Sequence, residues 1–224
     1  MRVPWRGPGY HRRRIDWPTG TSITASGRRC VPSLAPPAEL LLALSRVLTN
    51  LRVGWYVFGA QAVMHWGRPR LTEDIDVTVQ LSGVDTGRLV RELQQAGFAL
   101  RVEGTPAFIA QTRVVPLVFG ETGWALDVVL GGPGLEEDFV RRAVPVEVAL
   151  GVSVPIISAE DLIVTKVLAG RPKDLEDIRG VLLAQAGRVD LAAARQTLGM
   201  LEGALGVSDL IPLFERLITR AAET

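Results

Sequence analysis

The sequence predicts an α+β protein, with an α/β layer first and a helical region after it. Three observations predict it. Between residues 55 and 157, short apolar runs of strand length alternate with stretches of helical spacing. Asp74-Ile75-Asp76-Val77 alternates carboxylates with apolar residues, a period of two that belongs to a strand. From Ser158 onward every segment reads as helix. Strands gathered first and helices later is the α+β order.

Residues 38–51 follow Pro36-Pro37 and are predicted to be a helix. Trp55 to Phe58 is a short buried strand, and Gly59 to Trp66 a helix stopped by Gly67 and Pro69. Residues 74–81 form a strand. Residues 85–96 have helical spacing at Leu89, Val90 and Leu93, with Gly97 as the stop. Residues 98–103 and 107–115 read as two strands around Gly104-Thr105-Pro106, followed by a strand at 124–130 and a short helix at 135–143. Residues 145–149 and 152–157 read as edge strands, with prolines at their margins. Ser158-Ala159-Glu160-Asp161 is a capped, acidic helix start. Helices are then predicted at 158–169, 173–186, 190–205 and 208–222.

The predicted organisation is a basic arm over residues 1–30, an α/β core over 31–157 and a helical region over 158–224. The arm holds seven arginines and one aspartate, a charge of +6, among Pro, Gly, Ser and Thr. It reads either as a disordered arm able to hold nucleic acid or as an upstream extension from a misassigned start. The remaining 18 basic and 23 acidic residues leave the rest of the chain at −5. No apolar run approaches the ~20 residues of a membrane span. There is no apolar signal segment, and the single cysteine, Cys30, excludes an internal disulfide framework. These features predict a cytoplasmic protein with no membrane partner. Only two of the 25 basic residues are lysines, Lys166 and Lys173. No Walker loop, Rossmann glycine signature or Ser-His-Asp arrangement is present.

Asp74 and Asp76 share one strand face, and two unpaired anions held that close repel. A divalent metal is the usual remedy, with Mg²⁺ favouring a few carboxylates plus phosphate oxygens. Asp127 interrupts the apolar strand 124–130 and reads either as a strand-end residue or as a third metal ligand. Carboxylates so placed suit phosphoryl or nucleotidyl transfer.

Phe58-Gly59-Ala60, then, after thirteen intervening residues, Asp74-Ile75-Asp76-Val77, then Leu126-Asp127-Val128 resembles the nucleotidyltransferase superfamily related to DNA polymerase beta. Within it, Gly59-Ala60-Gln61-Ala62, Arg70-Leu71-Thr72-Glu73-Asp74-Ile75-Asp76, Glu160-Asp161-Leu162-Ile163-Val164-Thr165-Lys166 and Arg171-Pro172-Lys173-Asp174-Leu175-Glu176-Asp177-Ile178 resemble the AbiEii/MenT-type toxin nucleotidyltransferases.

The resemblance implies a nucleotidyltransferase fold, a small mixed sheet with flanking helices, followed by a helical bundle. It implies that Asp74, Asp76 and Asp127 hold Mg²⁺ or Mn²⁺, with Asp127 alternatively drawing the proton from the attacking hydroxyl. Gly59 and Ala60, with the helix behind them, approach the phosphates of a nucleoside triphosphate. Arg70, Thr72 and Lys166 belong to the nucleotide site, and Lys166 to the catalytic set. Asp174 and Asp177 match an acidic helical motif near the nucleotide. Ala60 departs from the superfamily's usual Ser or Gly and loses a phosphate-binding hydroxyl. The implied reaction transfers a nucleoside monophosphate to an acceptor hydroxyl. The implied acceptor is RNA, tRNA above all, in a toxin paired with an antitoxin protein. A small hydroxylated acceptor, as for the antibiotic nucleotidyltransferases, and a silent fold that binds nucleotide or a partner are the alternatives.

Overall fold

A computed structural model describes residues 35–102 and 105–223; the basic arm expected over 1–30 lies outside the described residues. The described chain divides into two compact units, residues 35–61 with 71–157 and residues 62–70 with 158–223.

The first unit is built on a mixed seven-stranded sheet in the order β3-β4-β5-β2-β1-β7-β6. The strands are β1 (Gly54–Phe58), β2 (Asp74–Gln80), β3 (Phe98–Leu100), β4 (Val114–Phe119), β5 (Trp124–Leu130), β6 (Val144–Ala149) and β7 (Val152–Ile156). β2 runs antiparallel to β1 and parallel to β5, and β1 runs parallel to β7. β3, β4 and β5 form an antiparallel run, as do β6 and β7.

Period-two alternation sets the faces. Ile75, Val77 and Val79 of β2 and Leu126 and Val128 of β5 are fully buried on one side. Helix α1 (Pro36–Leu51) buries Leu40, Leu41, Leu44, Val47, Leu48 and Leu51 at helical spacing, and it packs with α3 (Thr86–Gln95) and reaches β5 and β7. The Asp85 side chain caps α3 by accepting from the N–H of Arg88 at 2.8 Å. On the opposite face α5 (Leu135–Arg142) covers the far end of β1 and β2. Its Phe139 meets the Tyr56 ring edge-on, with centroids 6.2 Å apart. Tyr56 is the register partner of Thr78, two residues beyond Asp76.

Two expectations need correction. The strand expected at 107–115 is instead helix α4 (Thr105–Thr112), and β4 begins only at Val114. Pro106 presets a helical φ in the first turn, Ala107, Ala110 and Gln111 are good helix formers, and the Thr112 hydroxyl donates to the carbonyl of Phe108 at 2.8 Å. Arg113, at φ +57, makes the turn into β4. Second, β7 is not an edge strand, because it lies between β1 and β6.

The second unit holds the C-terminal part of α2 (Gly59–Trp66) and the helices α6 (Ala159–Ala169), α7 (Pro172–Ala184), α8 (Leu191–Leu205) and α9 (Leu210–Ala222). Ser158 caps α6 as expected, its hydroxyl accepting from the N–H of Asp161 at 3.1 Å. Ile163, Val167, Ile178, Leu198 and Phe214 are fully buried among these helices. Trp66 is buried with the His65 ring edge-on to it, centroids 4.4 Å apart, and the Gln185 amide donates to the Trp66 carbonyl at 2.9 Å. Trp55 is buried, whereas Trp124 is only half-buried. Among the described residues no helix is long and apolar enough to cross a membrane.

Candidate active site

Asp74 and Asp76 stand at the start of β2 on the face opposite the Ile75–Val77–Val79 row. In the parallel β2/β5 ladder Asp76 is the register partner of Asp127, and Asp74 of Ala125. Partners in a ladder share a face, with strands about 4.8 Å apart, so three carboxylates lie on one patch. Asp74 is exposed, and Asp76 and Asp127 are half-buried.

Gly59 closes this patch from β1. It follows Phe58, the register partner of Asp76, and has φ +63, a conformation that favours glycine. A Cβ there would lie 2.9 Å from Cγ of Asp76 and collide with its carboxylate oxygen. Gly59 also opens α2, whose first backbone amides are unpaired within the helix and carry the positive end of its dipole. Ala60 is buried and brings no hydroxyl.

The carboxylates already have partners. The Thr72 hydroxyl lies 3.3 Å from the carbonyl of Asp74 and bonds more closely to its carboxylate. Arg101 forms an ion pair with Asp127 through Oδ1. Gln61, 1% exposed, donates through Nε2 to the carbonyl of Asp74 at 3.3 Å, while its Oε1 has no partner. Among the described residues no three His, Cys, Asp or Glu side chains converge as a ready-made metal cage. The donor set still fits a hard divalent cation in kind: Asp76 and Asp127 in register, with Asp74 on the same face of β2. So does the cradle at Gly59, where the missing side chain leaves room for the Asp76 carboxylate.

The other expected residues gather in the helical unit. Lys166 of α6 is 6% exposed, and its ammonium donates to Oδ1 of Asp174 at 2.9 Å and Oδ2 of Asp177 at 2.7 Å, both on α7. Arg171 bonds Oδ2 of Asp174 at 2.5 Å, and Arg70 bonds Oδ1 of Asp177 at 3.3 Å. Burial pushes the Asp174 carboxyl up, but hydrogen bonds from Arg171 and Lys166, with their charges, outweigh it. The net result lies below the usual carboxylate value. Two buried carboxylates beside three cations form a network in which every charge has a counter-ion. Glu73, the local partner one would pair with Arg70, is not the one used.

Sequence reasoning singled out neither Arg101 nor Gln61. Arg101 carries no local signal, since its role follows from strand order. Gln61 does: a polar residue two positions past Gly59, in the otherwise apolar run Gly59–Met64.

A family model described as "Nucleotidyltransferase of unknown function (DUF6036)" matches residues 41–198. The chain belongs to this family. No curated protein matches it. The antibiotic-resistance factor ANT(2'')-Ia, as seen in its solution structure, is similar at 17% identity with a TM-score of 0.51, over 76% of this chain and 97% of that one. That likeness shows a nucleotidyltransferase fold. An antigenic nucleotidyltransferase-like protein from Paracoccidioides brasiliensis is 16% identical with a TM-score of 0.49, over 80% of this chain and 92% of its own. The crystal structure of ANT(2")-Ia with adenylyl-2"-tobramycin is 19% identical with a TM-score of 0.49, over 73% of this chain and 99% of its own.

Proposed function

We propose that this protein transfers a nucleoside monophosphate from a nucleoside triphosphate to an acceptor hydroxyl. The observation that carries the reading is the register of Asp76 with Asp127, beside Asp74 and next to a glycine that clears space for the Asp76 carboxylate. In this reading Asp74, Asp76 and Asp127 hold Mg²⁺ or Mn²⁺. The metal supplies charge neutralisation on the triphosphate and at the transferring phosphorus. Gly59 and the first amides of α2 face the phosphate oxygens. Asp127 accepts the proton of the acceptor hydroxyl as its oxygen bonds to the α-phosphorus; the bond from that phosphorus to the bridging oxygen breaks, and pyrophosphate leaves. The Thr72 hydroxyl orients Asp74 by donating to its carboxylate, and Gln61 ties the start of β2 to α2. Arg70 and Lys166 belong to the nucleotide-binding set in this reading, with Asp174 and Asp177 fixing the lysine.

The proposed acceptor is an RNA, in the manner of the AbiEii/MenT-type toxins, with a cognate antitoxin as partner. The support is the resemblance of residues 59–76 and 160–178 to that group. A second reading has a small cationic acceptor, and the −5 charge of the chain beyond residue 30 favours it. The test is transfer of α-labelled ATP, CTP, GTP and UTP with Mg²⁺ to total tRNA and, separately, to aminoglycosides, run beside Asp76→Ala. Label on tRNA with the native protein alone supports the first reading, and label on the aminoglycoside the second. No Asp76-dependent label on any acceptor, the protein included, would sink the enzymatic reading.

A further inference from the structure

We propose that Arg101 is a positioning residue of the carboxylate site: its guanidinium is the counter-ion that Asp127 keeps until a divalent cation takes the carboxylate over. The inference rests on the metal-dependent reading above. Arg101 follows the last residue of β3, and its backbone N–H donates to the carbonyl of Pro116 at 3.0 Å. Pro116 is the register partner of Asp127, and Asp127 of Asp76. Arg101, Pro116, Asp127 and Asp76 therefore stand in one row across the sheet. The buried ring of Pro116 is compact, so a long side chain at 101 passes over it and reaches Asp127.

Two properties make this pair a switchable contact. Its side chains are 36% and 32% exposed, and an ion pair that open to solvent is weak. The guanidinium also occupies a carboxylate oxygen that a hard cation would take directly. A metal at Asp127 competes with Arg101 for the carboxylate and sits beside its charge. Asp127 meanwhile stays turned along the row, toward Arg101, while no metal is bound. Removing the arginine should thus tighten metal binding, an effect opposite in sign to that of structural damage.

The experiment is a Mn²⁺ titration of the full-length protein at low ionic strength, following free Mn²⁺ by electron paramagnetic resonance. It compares the native chain, Arg101→Gln, Arg101→Lys and Asp76→Ala. Arg101→Gln is expected to bind Mn²⁺ roughly two- to fivefold more tightly than the native chain, the range of an exposed ion pair, and Arg101→Lys to stay near it. Asp76-dependent binding that is unchanged or weaker in Arg101→Gln overturns the inference and leaves the metal reading standing. So does an Arg101→Lys protein that binds as tightly as Arg101→Gln. Absence of any Asp76-dependent Mn²⁺ binding in the native chain and in Arg101→Gln overturns the metal reading and the inference with it.

Discussion

The carboxylate of Asp76 occupies the space that a side chain on Gly59 would need. Gly59 opens α2 where β1 ends and Asp76 lies near the start of β2, so a side chain at Gly59 would need Asp76 to move. Gly59→Ala forces a residue with a Cβ to adopt φ +63, and it pushes Asp76 off the face it shares with Asp127. We expect a loss of about 2–4 kcal/mol in urea unfolding together with loss of nucleotidyl transfer. A variant as stable and active as the native protein would mean that Asp76 is not held as described.

Asp127→Asn keeps the shape of the side chain and removes its charge. Its expected effect is a drop of about 10²–10³ in kcat with an unchanged near-ultraviolet circular dichroism spectrum. Pyrophosphate release is the measurement. Retention of more than a tenth of the native kcat would remove Asp127 from the reacting set.

Lys166→Met leaves two buried carboxylates short of a partner. Arg171 and Arg70 remain, so the cost should fall at the lower end of that for breaking a buried pair, about 3 kcal/mol. Adding Asp174→Asn should recover part of it, because the double variant buries one charge fewer. If the single variant unfolds at the native urea midpoint, the network contributes nothing to stability.

Asp174 also makes the protein sensitive to acid. Its folded pKa lies below the ordinary value of 3.8, so the unfolded state binds the proton more readily. The stability it contributes is complete above that ordinary value and is lost as pH falls through the lower folded one. Unfolding free energy of Asp174→Asn, followed from pH 6 downward, should therefore fall less steeply below about pH 4. Parallel curves for the two proteins would contradict the assignment.

Features that depend on local periodicity were legible in the sequence. Alternation alone puts Asp74 and Asp76 on one face of β2, and the apolar residues around Asp127 mark β5. The scarcity of lysine marks Lys166 in the sequence, while its partners Asp174 and Asp177 emerge only in the fold. Features that depend on non-local pairing were not legible. Arg70 meets Asp177 across 107 positions of sequence, and Arg101 reaches Asp127 only because β4 lies between β3 and β5. Helix α4 was misread because Phe108-Ile109 is apolar enough for a strand, while the helix-favouring residues beside it carry the weaker signal.

The burial of Lys166 has a practical side. Of the two lysines in the chain, Lys173 is exposed, whereas Lys166 is 6% exposed with its ammonium held by Asp174 and Asp177. Amine-directed reagents will thus find a single fast-reacting lysine, a ready attachment point for a dye or a surface tether. Slow labelling of Lys166 would then act as a clock, timing how often α6 and α7 part.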